Sequence, residues 1–283
     1  MRGIKGNLLV KKFLGVTAAA TLLATSLVIP SSVFADESTN TDTSGVALED
    51  KQYIQNEEYY KSLEKQRDAE IAKEEATFQK QRSLIKAASA NEYYTIDVYR
   101  NVQEYFNFCG PANARQALSF HKYKSGSSYT LPSQTKLGEA MGTFPDKGGT
   151  VSTYLADAIN GYRDIYNFSK TPYIVGNIAQ FSTPAVTLEN RVKATLRDQS
   201  TAPILLVRTD YLPYYNGEKW RHYETVSGYD KDADQFRLVD TNHHGSYSAI
   251  RWVKLGTTNS AKSVARAVYE ANLESPNNPV MIW

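Results

Sequence analysis

The stretch VQEYFNFCGPANARQAL, residues 102–118, decides how the chain is read, and it holds the only cysteine, Cys109. Pro111 suits the first turn of a helix, where its fixed φ is already helical and its missing N–H costs no intrahelical bond. Ala112, Ala114, Ala117 and Leu118 carry that helix on toward Tyr123. Cys109 therefore stands at a helix start. Unpaired backbone N–H groups there carry partial positive charge, and a thiol attacks as its thiolate, so a reactive cysteine gains from the position. Gly110 would let a substrate approach the backbone closely. The competing reading is an inert buried cysteine, which is common, and the rest of the chain must decide between the two.

Residues 1–35 place Arg2, Lys5, Lys11 and Lys12 ahead of an apolar run that ends in VIPSSVFA. That pattern predicts a secretory signal peptide with cleavage after Ala35. No later stretch is long and apolar enough to span a membrane, so the expected mature chain is secreted, either released or held peripherally at the cell surface. The whole sequence has a formal net charge of +2, but the first 35 residues hold four basic and no acidic residues. The remainder is slightly acidic and carries no basic stripe, which argues against a nucleic-acid partner. Outside the cell a lone cysteine has no internal disulfide partner, so it is buried and inert, paired with another chain, or a working nucleophile.

Residues 36–47 are polar and without apolar periodicity, which predicts a disordered leader. From 48 to 90 the sequence is dense in Glu, Lys, Gln and Ala without Gly or Pro, a charged helical segment that serves as a prosegment or a spacer. Ile71, Phe78 and Ile85 recur every seven residues, but Glu74 and Gln81 leave that seam too thin for a coiled coil. The main domain then occupies 91–283. YYTIDVYRNV predicts a strand or extended entry, and helices are expected from Pro111, Ser133, Thr150 and Thr187. After Ala202 the runs PILLVRT, HYETVSGYD, QFRLVDT and SAIRWVKL are short and β-rich, and SAKSVARAVYEAN closes with a helix. Helices first and a meandering sheet second predict an α+β domain.

Four histidines are available as a base: His121, His222, His243 and His244. His121 lies more than three turns along the same helix as Cys109 and is out of reach. His222 opens a strand in the later sheet and is the first choice. Its second ring nitrogen needs an orienting partner. In QFRLVDT, alternation puts Asp240 on the face of Phe236 and Leu238, where a carboxylate is costly unless it is paired, and a hairpin would bring it to His222. Cys109's own N–H is one candidate oxyanion donor, and Gln103, six residues before it, has a side-chain amide that could be a second, although a Gln in a loop signifies nothing by itself.

Gln103, the Cys-Gly-Pro-Ala of residues 109–112, HYETVSGYD and LVD together resemble the papain-fold cysteine peptidases of the bacteriocin-processing, double-glycine leader group, above all their secreted stand-alone bacterial relatives. LGEAMGTFPDKGGTVSTYLADAIN resembles the stretch between nucleophile and base in that group. The resemblance spans roughly residues 93–255. It implies a papain-like fold, Cys109 as nucleophile, His222 as general base and acid, Asp240 as orienter and Gln103 in the oxyanion hole. It also implies a peptide or protein substrate and no metal or organic cofactor. Two features depart from the group: Thr241 follows Asp240 where proline is common, and the transporter segments of the bacteriocin exporters are lacking.

Tyr214 and Tyr215, in the aromatic loop DYLPYYNGEKW, are candidate substrate-binding residues in a cleft wall, and Gly110 is a third. Two other classes of function remain on the sequence alone. One is a non-catalytic papain-like surface or toxin-associated binding module; the other is a thiol amidase acting on cell-wall peptides. A zinc site from His222, Asp240, His243 and His244 fits the residue types but leaves Cys109 unexplained.

Overall fold

The computed structural model describes residues 45–85, 92–243 and 247–283. The expected signal peptide and residues 36–44 of the expected leader lie outside the described residues, as does His244. In chain order the described elements are α1 (Lys51–Gln55), α2 (Glu57–Ile85), β1 (Tyr93–Thr95), α3 (Cys109–Ser125), α4 (Gln134–Met141), α5 (Ser152–Asn160) and β2 (Val175–Gly176). They continue with α6 (Pro184–Arg197), β3 (Ile204–Arg208), β4 (Arg221–Asp230), β5 (Gln235–Asp240), β6 (Ile250–Lys254), α7 (Val264–Glu274) and β7 (Met281–Ile282). This is an α+β fold of the papain-like kind, with helices leading and an antiparallel sheet following. Among the described residues no helix is long and apolar enough to cross a membrane.

The sheet runs β2-β7-β3-β4-β5-β6, and β1 pairs with the far half of β4. β4 is the spine. Its first half pairs with β3 from Val207↔His222 to Ile204↔Thr225, while its other edge pairs with β5 from Glu224↔Asp240 onward. The β4–β5 register shifts between Val226 and Gly228, where Gly228 has the ring of Trp252 and the Arg237 side chain against the place a Cβ would occupy. Strand alternation then puts His222 and Glu224 on one face and Tyr223 and Thr225 on the other.

α3 begins at Cys109, and Gly126 ends it in the left-handed conformation (φ 64°). No side chain caps its start. Two contacts fix that start instead. Gly110 lies so close to the Thr150 side chain that a Cβ would collide with it. One turn on, the fully buried Asn113 donates to the carbonyls of Cys109 (2.8 Å) and Tyr223 (2.7 Å) and accepts from the Thr225 hydroxyl (2.7 Å). The side chain that Gly110 lacks makes room for Thr150.

Residues 45–47 are tied to the domain: Val46 is buried and bridges Thr150, and Ala47 N–H donates to the Thr150 carbonyl (3.1 Å). The helical segment divides at Asn56. Asp50 caps α1 through Tyr53 N–H (2.9 Å) and also accepts from Thr153 N–H (2.9 Å) and its hydroxyl (2.8 Å), which pins the segment to α5. α2 lies against α6 and β2. Its anchor is Arg191, which is 1% exposed and pairs with Glu64 (2.9 Å) and Asp68 (2.6 Å), donates to the Asn177 carbonyl (2.9 Å) and lies over the Trp283 ring (4.5 Å). Burial pushes the Glu64 carboxyl up, and Arg191 works against that shift.

Removing one partner from a buried ion pair leaves an uncompensated charge, so Arg191→Ala should destabilise the fold by about 3–5 kcal/mol. The measurement is urea unfolding followed by tryptophan fluorescence. An unchanged midpoint would show that α2 is not held through this cluster.

Candidate active site

α3, β4 and the end of β5 meet at Cys109, His222 and Asp240. All three are nearly or fully buried. His222 Nε2 lies 3.0 Å from Asp240 Oδ1. Cys109 acts on the same imidazole through a side-chain hydrogen bond and charge that raise its pKa, and with Nε2 on the carboxylate the ring's free nitrogen is Nδ1. The hairpin expected from the sequence is what makes this geometry. Glu224 stands directly across from Asp240, so His222, two residues earlier on the same face, lies diagonal to it.

Asp240 is held from three sides. Besides His222, Tyr215 donates its hydroxyl to Oδ2 (2.8 Å), and Asn242 N–H donates to Oδ1 (2.8 Å). A buried carboxylate with three donors stays an acceptor in fixed orientation. Burial opposes charge on His222, but the hydrogen bond and charge of Asp240, with a further contribution from Cys109, prevail and hold its pKa well above the usual histidine range. The imidazole is thus poised to exist as imidazolium beside a thiol, the electrostatic setting in which thiolates form.

The aromatic loop supplies donors to the buried carboxyl groups. Tyr215 is fully buried, edge-on to His222 (6.2 Å) and stacked on Tyr247 (4.7 Å). Tyr214 donates its hydroxyl to both oxygens of Glu224 (2.8 Å each). Both hydroxyls of the expected substrate contacts Tyr214 and Tyr215 point inward, because two buried carboxyl groups need donors. Glu224 itself was missed. The signal was present, since alternation in HYETV puts it on the His222 face.

Gln103 stands beside the loop that enters α3. Its backbone N–H donates to the Thr241 carbonyl (2.7 Å), and its Nε2 donates to the carbonyls of Phe106 (2.6 Å) and Tyr105 (3.1 Å). Its Oε1 is buried with no hydrogen-bond partner. His243 brings Nδ1 to 3.5 Å from the same amide and sets its ring edge-on to Phe106 (5.5 Å). His121 is excluded from the site. It stacks on Phe168 (3.9 Å), bonds Tyr173 (2.9 Å), and burial, reinforced by Lys124, lowers its pKa to about 3.

Among the described residues, His222, Glu224 and Asp240 bring one ligand-type atom each within 4.8 Å of one another. Their hydrogen bonds already account for those atoms: Glu224 is engaged by Tyr214, and Asp240 by His222, Tyr215 and Asn242. The donor set therefore fits a hydrogen-bonded network better than a cation cage.

A buried thiol at a helix start, bonded to an imidazole that a carboxylate orients, is the arrangement expected of thiol-dependent acyl transfer. No match is found among curated proteins. The sequence profile of the Peptidase_C39 like family matches residues 95–272, an interval that contains Cys109, His222 and Asp240. The chain therefore belongs to the Peptidase_C39 like family and is a cysteine-type peptidase.

Proposed function

We propose that the chain hydrolyses peptide bonds through Cys109, His222 and Asp240, with Gln103 and backbone N–H groups of the α3 start stabilising the oxyanion. The observation that carries this reading is His222, whose Nε2 lies 3.0 Å from Asp240 Oδ1 and whose pKa Asp240 and Cys109 both raise. Cys109 Sγ, having given its proton to His222, attacks the substrate carbonyl carbon and forms a tetrahedral oxyanion. The oxyanion collapses, the C–N bond breaks, and His222 passes the proton to the leaving amine. Water then attacks the thioester, His222 takes its proton, and the acid product leaves with Cys109 restored. Asp240 keeps one tautomer and stabilises the imidazolium throughout. Gln103 joins by exchanging one of its two carbonyl acceptors for the oxyanion when substrate enters. The lysine-led apolar segment 1–35 supports export, and with it action on extracellular peptides.

Replacing Cys109 by Ala should reduce cleavage of a quenched-fluorescence peptide pool by at least about a thousandfold. Retained hydrolysis would end the proposal.

The raised pKa of His222 means that its charged form persists through neutral pH and is lost only as pH rises through that higher value. Iodoacetamide alkylation of Cys109 at about pH 6 should therefore draw on the charged imidazole beside it. In His222→Ala that low-pH reaction should slow at least about tenfold. Equal rates in the two proteins would separate the thiol from the imidazole.

Tyr215→Phe leaves a buried oxygen of Asp240 without its donor. A loss of about 1–2 kcal/mol of orienting interaction lowers kcat by about 5- to 30-fold with KM little changed. A rise in KM at constant kcat would return Tyr215 to the role of a substrate contact.

A further inference from the structure

The proposed reaction does not use Glu224, yet this side chain is fully buried against its machinery. It is the cross-strand partner of Asp240 and shares the face of His222, and the ligand-type atoms of all three lie within 4.8 Å of one another. Directly opposed carboxyl groups on one sheet face repel when both are ionised, and burial leaves no water to screen them. The two adjacent tyrosines divide the pair between them, Tyr215 on Asp240 and Tyr214 on Glu224. The donors differ in one respect. Asp240 also receives the imidazole and the Asn242 N–H, whereas both oxygens of Glu224 are met by a single hydroxyl.

We propose that Glu224 is a positioning residue that holds a proton at neutral pH, so that the cross-strand pair carries one negative charge, seated on Asp240 and directed at His222. On ionisation Glu224 adds a second negative charge beside the imidazole and makes His222 release its proton later. The inference rests on reading Cys109 and His222 as the reacting pair.

The groups facing Glu224 pull in both directions. Burial acts first and Asp240 on β5 next, both favouring the protonated acid; His222 on β4, the Tyr214 hydroxyl and Arg251 on β6 oppose them, and the result is a pKa raised to about 8. Arg251 reaches the site over the Tyr214 ring (4.5 Å). The remaining neighbour across the strand, Leu205 on β3, carries no charge.

The test is histidine-selective 13C labelling with NMR titration of the His222 ring, in wild type and in Glu224→Gln. Glutamine keeps the shape of the neutral acid and cannot ionise. His222 should titrate at lower pH in the variant than in wild type, because the second charge never forms. An identical titration would overturn the proposal, as would a higher value in the variant. If the variant does not fold, infrared difference spectra of the wild type decide between about pH 6 and about 10. A protonated-carboxyl band present at neutral pH and lost near pH 8 supports the assignment, and its absence at neutral pH refutes it. Iodoacetamide labelling of the same wild-type sample keeps the two readings apart. A thiol unreactive at low pH would fail the Cys109–His222 pairing whatever Glu224 does.

Discussion

The arrangement depends on one buried amide. Asn113 lies one helical turn beyond Cys109 and joins three elements: its own helix through the Cys109 carbonyl, β4 through Tyr223 and Thr225, and the end of β5 through the Thr241 hydroxyl (3.2 Å). Cys109 and His222 belong to different layers, and their contact tolerates little relative movement of those layers. A hydrophobic contact would have allowed sliding. Directional bonds in a water-free setting fix the register, since breaking one leaves a buried polar group unsatisfied. Gly110 against Thr150 supplies the matching steric limit. Thr150 is itself bound by Thr143 (2.9 Å) and by the Gly45–Ala47 strap, so the nucleophile end of α3 rests on a surface that is fixed in turn.

Around this frame the chain handles buried charge in two different ways. At Arg191 a full cation is matched by Glu64 and Asp68, and the planar guanidinium also covers Trp283. Such a cluster favours one docking geometry for α2, because any other leaves charge without a partner. At the β4–β5 pair the carboxyl groups are met instead by tyrosine hydroxyls and the His222 imidazole, which adjust their hydrogen positions as protons move. The first cluster is built to hold, and the second to change protonation without moving heavy atoms.

Much of this was legible in the sequence, and the exceptions have physical reasons. Pro111 after Cys109–Gly110 marked the helix start, and Ser133 marked the next helix, which it caps through Lys136 N–H (3.1 Å). The four β-rich runs after Ala202 became β3 to β6, since each is long enough for alternation to show. Val175–Gly176 and Met281–Ile282 are two residues each and carry no period, so β2 and β7 were invisible. The inward turn of Tyr214 and Tyr215 was equally hidden. A loop of aromatics with Pro and Gly reads as exposed until the carboxyl groups it serves are seen to be buried. Thr241 is the most instructive departure. Where the resembling group commonly has proline, this chain has a hydroxyl that meets Asn113, so the substitution adds a tie between β5 and the nucleophile helix.

The helical segment before the sheet domain can be weighed on the same terms. A removable cover would lie over the thiol and bury little of the core, so that its release leaves a stable domain. α2 instead lies on α6 and on β2, at the edge of the sheet, separated from β4 by β7 and β3. The strand-like strap before it ties to both ends of the fold, through Thr150 on one side and through Asn278 Nδ2 on the Ala47 carbonyl (2.7 Å) on the other. Its loss would remove Glu64 and Asp68 from Arg191, leaving a buried charge without its partners. These contacts favour a constitutive arm, one that sets the stability on which the exact seating of Cys109 against His222 rests.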